Sequence, residues 1–270
     1  MSRRPHSSFG SMRALGMSDS GSVPRHKARG HTRAEDSPVP SRAVVISAHP
    51  DDVDFGCAGT VAVWTKQGAK VSYIICTDGD KGSDDPKLAA QPLAELRQRE
   101  QREAAATVGV EEVVFLGFPD GELDNDLALR KALVAWIRRL RPDVVICQDP
   151  ANRAFENPFV SHRDHRMAAE AAFDALYPAC GNPHFFPELL EQGLLPHKVP
   201  ELLFFGTHAP NFWQDISTTI SLKIQAILCH RSQVADPASL EAFIRERFRQ
   251  VGQTVGFSYA EPFRKLLLPT

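Results

Sequence analysis

At 270 residues, 43% of them hydrophobic, the chain is long enough to bury one sizeable core, and a formal net charge of −2 with a pI near 6.6 leaves no electrostatic footprint for nucleic acid. No stretch approaches the roughly 18 continuous apolar residues of a membrane span. The five cysteines, Cys57, Cys76, Cys147, Cys180 and Cys229, are odd in number, widely spaced and mostly set in apolar runs, so they read as reduced thiols and point to the cytoplasm.

Residues 1–41 are rich in Ser, Arg, Gly, Pro and His with hardly an apolar cluster, the composition of a disordered tail. Arg3 and Arg4 make a basic start, but no apolar region of about 7 to 15 residues follows, which argues against a secretory signal. From 42 to 270, read as one domain, short β-branched runs alternate with amphipathic stretches, the pattern of βαβ units with right-handed crossovers. Strands are predicted over 43–48, 71–77, 112–116, 143–148 and 201–205. Helices are predicted over 59–67, 91–108, 127–140 and 165–176, with 217–229 and 237–251 closing the chain. The fold class is therefore α/β, with a mostly parallel sheet covered on both faces. Residues 181–200 hold several prolines and no sustained period, so they read as a loop-rich insertion that covers or borders the site.

Chemistry concentrates in the segment 47–57, Ser-Ala-His-Pro-Asp-Asp-Val-Asp-Phe-Gly-Cys, directly after the first strand. It places His49, Asp51, Asp52 and Asp54 within six positions. Open α/β sheets hold their ligands at the carboxyl edge of the strands, where this turn emerges. Carboxylates packed this closely raise one another's pKa unless a cation compensates, so a divalent ion is the economical explanation. A second cluster, Ser161-His162-Arg163-Asp164-His165, supplies further imidazoles, and two histidines with one carboxylate suit zinc or iron(II). Loops at Asp78-Gly79 and Gln148-Asp149 also follow predicted strands and converge on the same edge.

These motifs continue through Gly56-Cys-Ala-Gly-Thr60, Arg97-x-x-Glu100, Phe118-Pro-Asp-Gly-Glu122, Asp215-Ile-Ser217, His230-Arg-Ser-Gln233 and Tyr259-Ala-Glu-Pro-Phe-Arg264. In this order the set resembles the PIG-L/LmbE family of metal-dependent N-deacetylases, over about residues 42 to 264. The resemblance implies a Rossmann-like sheet and removal of an N-acetyl or related acyl group from an amino sugar or small glycoconjugate. It makes His49, Asp52 and His165 ligands of Zn2+, with Fe2+ as the alternative ion. It makes Asp51 the general base, and His162 the group that stabilises the oxyanion and protonates the departing amine.

A hydrogen bond to the Asp164 carboxylate is expected to orient and charge His162. Arg97 aligns with a family arginine that contacts substrate hydroxyls, against a plain helix-surface salt bridge with Glu95, Glu100 or Glu103. Asp54 is expected to cap the next helix, and Asp78, Gly79 and Asp120 to shape the pocket floor. His208, with Asn211, follows a predicted strand into the same edge, whereas His184, His197 and His230 read as solvent-facing or packed. Arg163 stands where the family often has Pro, and Val160 where some members have Tyr, which leaves the substrate open. Phe155, Phe159, Phe185, Phe186, Phe212 and Trp213 either line the site or pack the loops. The expected partner is a small amino-sugar molecule, with apolar loops and sheet edges suited to homo-oligomers. An amidase for thiol conjugates, or a non-catalytic metal- or sugar-binding protein, are the alternatives.

Overall fold

The computed structural model describes residues 32–33, 38–83, 85, 87, 89–155, 157 and 160–269. Most of the segment read as a tail lies outside the described residues, but Thr32–Arg33 inside it forms a short strand, β1. In chain order there follow β2 (Arg42–Ser47), α1 (Asp52–Lys66), β3 (Lys70–Thr77), α2 (Ala90–Thr107), β4 (Glu112–Phe118), α3 (Leu127–Leu140), β5 (Val144–Gln148) and α4 (Arg163–Asp174). A π-helical turn at Ala175–Ala179 leads to α5 (Glu188–Glu191), β6 (Glu201–Phe205), β7 (Phe212–Asp215), α6 (Ile220–Leu228), α7 (Pro237–Val255) and β8 (Ala260–Leu267). No helix among the described residues is long and apolar enough to cross a membrane.

Alternation along the strands sets the layers. Successive strand side chains point to opposite faces. In β2, Ala43 and Val45 join the core under α1 and α2, while Val44 and Ile46 join the core under α3 and α4. Val144 and Ile146 of β5 split from Val145 and Cys147 in the same way. Both faces are thus buried, which is why these runs are continuously apolar. The five cysteines, all among the described residues, are free, and all but Cys229 are buried.

The sheet order is β1-β7-β8-β6-β5-β2-β3-β4. β2 pairs in parallel with β3 on one side and β5 on the other, so the strand order reverses at β2. A crevice opens at such a switch point, outside the carboxyl ends of the strands.

Local signals explain the helix ends. Asp126 accepts from the Leu129 amide at 2.8 Å to start α3, and Asp236 with Pro237 starts α7, which Gly256 ends at φ 85°.

Three differences from the sequence-based expectations have clear causes. Helix α1 begins at Asp52 rather than 59, because Gly56 and Gly59 serve close packing and not a break: a Cβ at either would stand 2.6 Å from the Phe205 ring or 2.9 Å from Ile216. β7 and β8 were absent from the expected strands. β8 runs antiparallel between β6 and β7, and its internal Pro262 disguises it. The insertion 181–200 does not border the crevice. Arg138, near the end of α3, donates to the carbonyls of Cys180, Asn182 and Phe185, and His197 Nε2 lies 2.8 Å from the Pro142 carbonyl ahead of β5. The insertion therefore caps the opposite edge of the sheet.

Candidate metal centre and active site

β2 delivers the chain to the crevice through a sharp turn. Asp51 takes φ 96°, a left-handed conformation that few non-glycine residues adopt. Its carbonyl accepts from the Asp54 and Phe55 amides at 2.9 and 3.1 Å and so starts α1 with Asp52 in the first position. Helix α4 begins at Arg163 with His162 as its N-cap, which puts His165 in the first turn facing the same crevice.

His49 stands at the centre. Its Nδ1 lies 3.1 Å from His165 Nε2 and 3.5 Å from Asp52 Oδ2, and His165 Nε2 lies 3.0 Å from Asp52 Oδ1. Donors bound at about 2.0–2.1 Å to a tetrahedral ion stand about 3.3 Å apart, so these two nitrogens and the Asp52 carboxylate, which meets each of them through a different oxygen, suit one divalent cation. Gln148, at the end of β5, donates to Asp52 Oδ2 at 3.1 Å. The Asp52 carboxylate also accepts from the His49 amide at 2.8 Å, which leaves it aligned by the turn after β2 and by the end of β5.

Two other groups of potential ligands share His49: one with His162 and His165, one with Asp120 and Asp164. The second lies on the far side of the ring, where Nε2 is 3.1 Å from both Asp164 Oδ2 and Asp120 Oδ1. Those carboxylates already serve the backbone. Asp164 accepts from the Gly121 and Leu123 amides at 2.6 and 3.2 Å, and Asp120 from the Lys81 amide at 3.1 Å. A buried carboxylate on one imidazole nitrogen fixes the tautomer and strengthens the other nitrogen as a ligand.

Asp164 thus departs from the expected role. Its carboxylate lies on His49, and only its amide reaches His162, 3.4 Å from Nδ1. The exposed His162 ring sits with its centroid 5.0 Å from that of His49 and 5.5 Å from that of His165. Asp120 likewise faces His49 instead of forming an open floor.

The surplus of carboxylates sets the electrostatics. Burial would lower the His49 pKa, but hydrogen bonds to Asp120, Asp164 and Asp52 outweigh it and push the value up to about 12. Burial acts upward on Asp52, yet the charges and hydrogen bonds of His165 and His49 hold it well below the usual carboxylate range. This pocket demands positive charge, which a proton supplies when no metal does. Asp51 is moved the other way. Burial pushes its carboxyl up, Arg97 pulls it back, and the neighbouring Asp52 pushes it up again.

Arg97 is only 4% exposed. Its Nη1 donates to the Gly79 carbonyl at 2.9 Å, and its Nη2 to the Pro50 carbonyl at 2.7 Å and to Asp51 Oδ2 at 3.1 Å. A Cβ on Gly79 would stand 2.6 Å from Nη1, so this approach requires glycine. The guanidinium is therefore spent on the Asp51 turn, and is neither an open fork for substrate hydroxyls nor a surface ion pair.

Asp54 caps nothing. Fully buried, it accepts from Gln101 Nε2 at 2.9 Å and lies 2.8 Å from His230 Nε2. Asp78 is half-buried after β3, its pKa raised by burial and by Asp80 and Asp120. His208 is exposed on the loop after β6. Of the aromatic residues, Phe212 is buried in β7, Phe186 packs with the core under α3, Phe185 belongs to the insertion and Phe159 lies outside the described residues. Phe155, 64% exposed under the Arg166 guanidinium, lies in the loop that leads from β5 to His162.

Gln101 went unrecognised in the sequence, whereas Gln148 stood in a loop read as converging on the site, without its partner Asp52. A signal for Gln101 was present: Arg97, Glu100 and Gln101 occupy the stripe of α2 that Leu93, Ala94, Ala104 and Ala105 mark as buried. Polar side chains on a core-facing stripe need polar partners.

The sequence pattern of the GlcNAc-PI de-N-acetylase (PIG-L) family matches residues 44–176. A diacetylchitobiose deacetylase of Thermococcus kodakarensis is 34% identical over 225 residues, which cover 83% of this chain and 82% of that protein. The structure of an N,N'-diacetylchitobiose deacetylase from Pyrococcus horikoshii superposes with a TM-score of 0.78 at 32% identity, covering 86% of this chain and 85% of that one. A 4-carboxy-2-hydroxymuconate hydratase from Pseudomonas putida shares the fold at a TM-score of 0.70 but only 20% identity, covering 85% of this chain and 98% of its own. Fold alone therefore does not select a reaction. Sequence and structure agree on the more specific statement: this chain belongs to the GlcNAc-PI de-N-acetylase (PIG-L) family.

Proposed function

We propose that the protein is a zinc-dependent N-deacetylase that releases acetate from an N-acetylglucosamine unit of a small glycoconjugate. His49 Nδ1, the Asp52 carboxylate and His165 Nε2 would hold the ion. The observation that carries this reading is the 3.0–3.5 Å spacing of those atoms, with Asp51 next in the chain to one of them. The deacetylase relatives support the substrate class. The free cysteines fit a reducing compartment such as the cytoplasm.

Bound there, the ion would supply Lewis acidity, lowering the pKa of a water molecule and polarising the amide carbonyl. Asp51 then takes the proton of the attacking water. A carboxyl raised by burial is a better base than an exposed one, and Arg97 with the strained turn holds it in place. His162 acts on the other side of the amide. Because its Nδ1 accepts from the Asp164 amide, the neutral ring carries its proton on Nε2, from which it donates a hydrogen bond to the carbonyl oxygen as that gains charge, while the proton taken up by Asp51 passes to the departing amine. Burial and the charge of His49 lower the His162 pKa, which favours the neutral ring that this contact requires. The water oxygen joins the carbonyl carbon, the C–N bond breaks, and acetate and a free amine leave.

The test is release of acetate and free amine from N,N'-diacetylchitobiose and a panel of N-acetylglucosaminides, with chelated and zinc-restored protein side by side. Release only after zinc is restored is the expected result. No release from any member, in protein holding one zinc per chain, would move the reading to thiol-conjugate amides or a binding role.

A further inference from the structure

The segment His230-Arg-Ser-Gln233 has no part in the chemistry above, yet its side chains reach the underside of the catalytic turn. His230 Nε2 lies 2.8 Å from Asp54 Oδ2, Ser232 donates through its amide and hydroxyl to Glu100 at 2.8 and 2.6 Å, and Gln233 donates to the Gly82 carbonyl at 3.1 Å. Between this segment and the turn lies Gln101. Its Oε1 accepts from the Asp51 amide at 2.7 Å, and its Nε2 donates to Asp54 Oδ2 at 2.9 Å. Gln101, Asp54 and His230 are all 0% exposed, so no water competes for these bonds.

We propose that Gln101, held by Asp54 and His230, is a positioning residue for Asp51. This rests on the reading of Asp51 as the base. The chemistry at position 101 is demanding. A backbone N–H can only donate and the Asp54 carboxylate only accepts, so the bridging side chain must offer one acceptor and one donor at glutamine length. Asp51 at φ 96° is in a conformation that persists only where its surroundings over-determine it. Relaxing it to negative φ would swing its amide away from Gln101 and redirect its carboxylate. Gln101 and Arg97 stand one turn apart on α2, so a single helix face grips the backbone and the carboxylate of the same residue. His230 keeps Asp54 in place, and Ser232 anchors α2 through Glu100.

The test is a double-mutant cycle on zinc-loaded protein: Gln101→Met, Asp51→Asn and the pair, with kcat, KM, bound zinc and Tm measured for each. Gln101→Met should lower kcat about 10- to 100-fold while KM and zinc content hold, as misplacing a reacting group does. Added to Asp51→Asn, it should lower the residual kcat no further, because its effect runs through the Asp51 carboxylate. An unchanged kcat in Gln101→Met beside an inactive Asp51→Asn would overturn the proposal. So would a full additional loss in the pair, since a merely structural role costs activity whatever stands at 51. If Asp51→Asn itself keeps full activity, it is the assignment of the base that fails. Should Gln101→Met not fold, Gln101→Asn, one methylene too short to reach both partners, takes its place in the cycle with the same expected and contrary results.

Discussion

His49 Nε2 and Asp164 Oδ2 stand 3.1 Å apart in a buried contact, on the opposite side of the ring from the Nδ1 that faces His165. The contact makes Asp164 a support for His49. Asp164→Asn should weaken zinc binding about 10- to 100-fold in a chelator competition, with kcat at saturating zinc little changed. Unchanged affinity with a large fall in kcat would return Asp164 to the role of orienting His162.

Asp51 and His165 should separate catalysis from metal binding. Asp51→Asn should keep one zinc per chain and lose about 10²- to 10⁴-fold in kcat. His165→Ala should lose both the zinc and the activity. Full turnover in Asp51→Asn would remove it as the base.

His162 has two competing assignments, because it can also join His49 and His165 as a ligand. The hydrogen bond from the Asp164 amide to its Nδ1 favours the catalytic one. His162→Ala should therefore retain zinc, measured by metal analysis after dialysis, and lose about 10²- to 10³-fold in kcat. Loss of the zinc would make it a ligand.

The charge surplus around His49 gives the metal-free protein a distinctive pH dependence. The folded His49 pKa of about 12 lies above its ordinary 6.5, because the hydrogen bonds to Asp120, Asp164 and Asp52 outweigh burial. That stabilisation is fully present below pH 6.5 and is lost as the pH rises towards about 12. Asp120 has the opposite sign. Against burial, His49 lowers it from 3.8 to about 2, so its contribution is present above 3.8 and lost as the pH falls through about 2. From about pH 7 to about pH 9, Tm should fall in metal-free protein and stay flat in zinc-loaded protein, where the Nδ1 proton has left. A falling Tm confined to the zinc-loaded form would contradict this.

The sequence made the framework legible wherever burial was two-sided or a helix carried its own cap. Helix α3 begins at the residue expected because Asp126 caps it, and β2, β3 and β5 lie within one residue of the apolar runs. Helix α1 and strand β8 were obscured by Gly56, Gly59 and Pro262, where packing overrides local propensity. The candidate ligands were visible because His49 and Asp52 share one turn and His162 and His165 another. What spacing could not convey is which partner a side chain finds across the core. Asp164 meeting His49, Arg97 turning into the Asp51 loop and Gln101 bridging to Asp54 all depend on elements 47 to 115 residues apart.

The most direct measurement is acetate release from N,N'-diacetylchitobiose as metal-free protein is titrated with zinc. The account expects no release without zinc and a rise in rate that levels off at one zinc per chain. Release that continues undiminished after the zinc is fully removed, or that appears unchanged in His165→Ala, would contradict it.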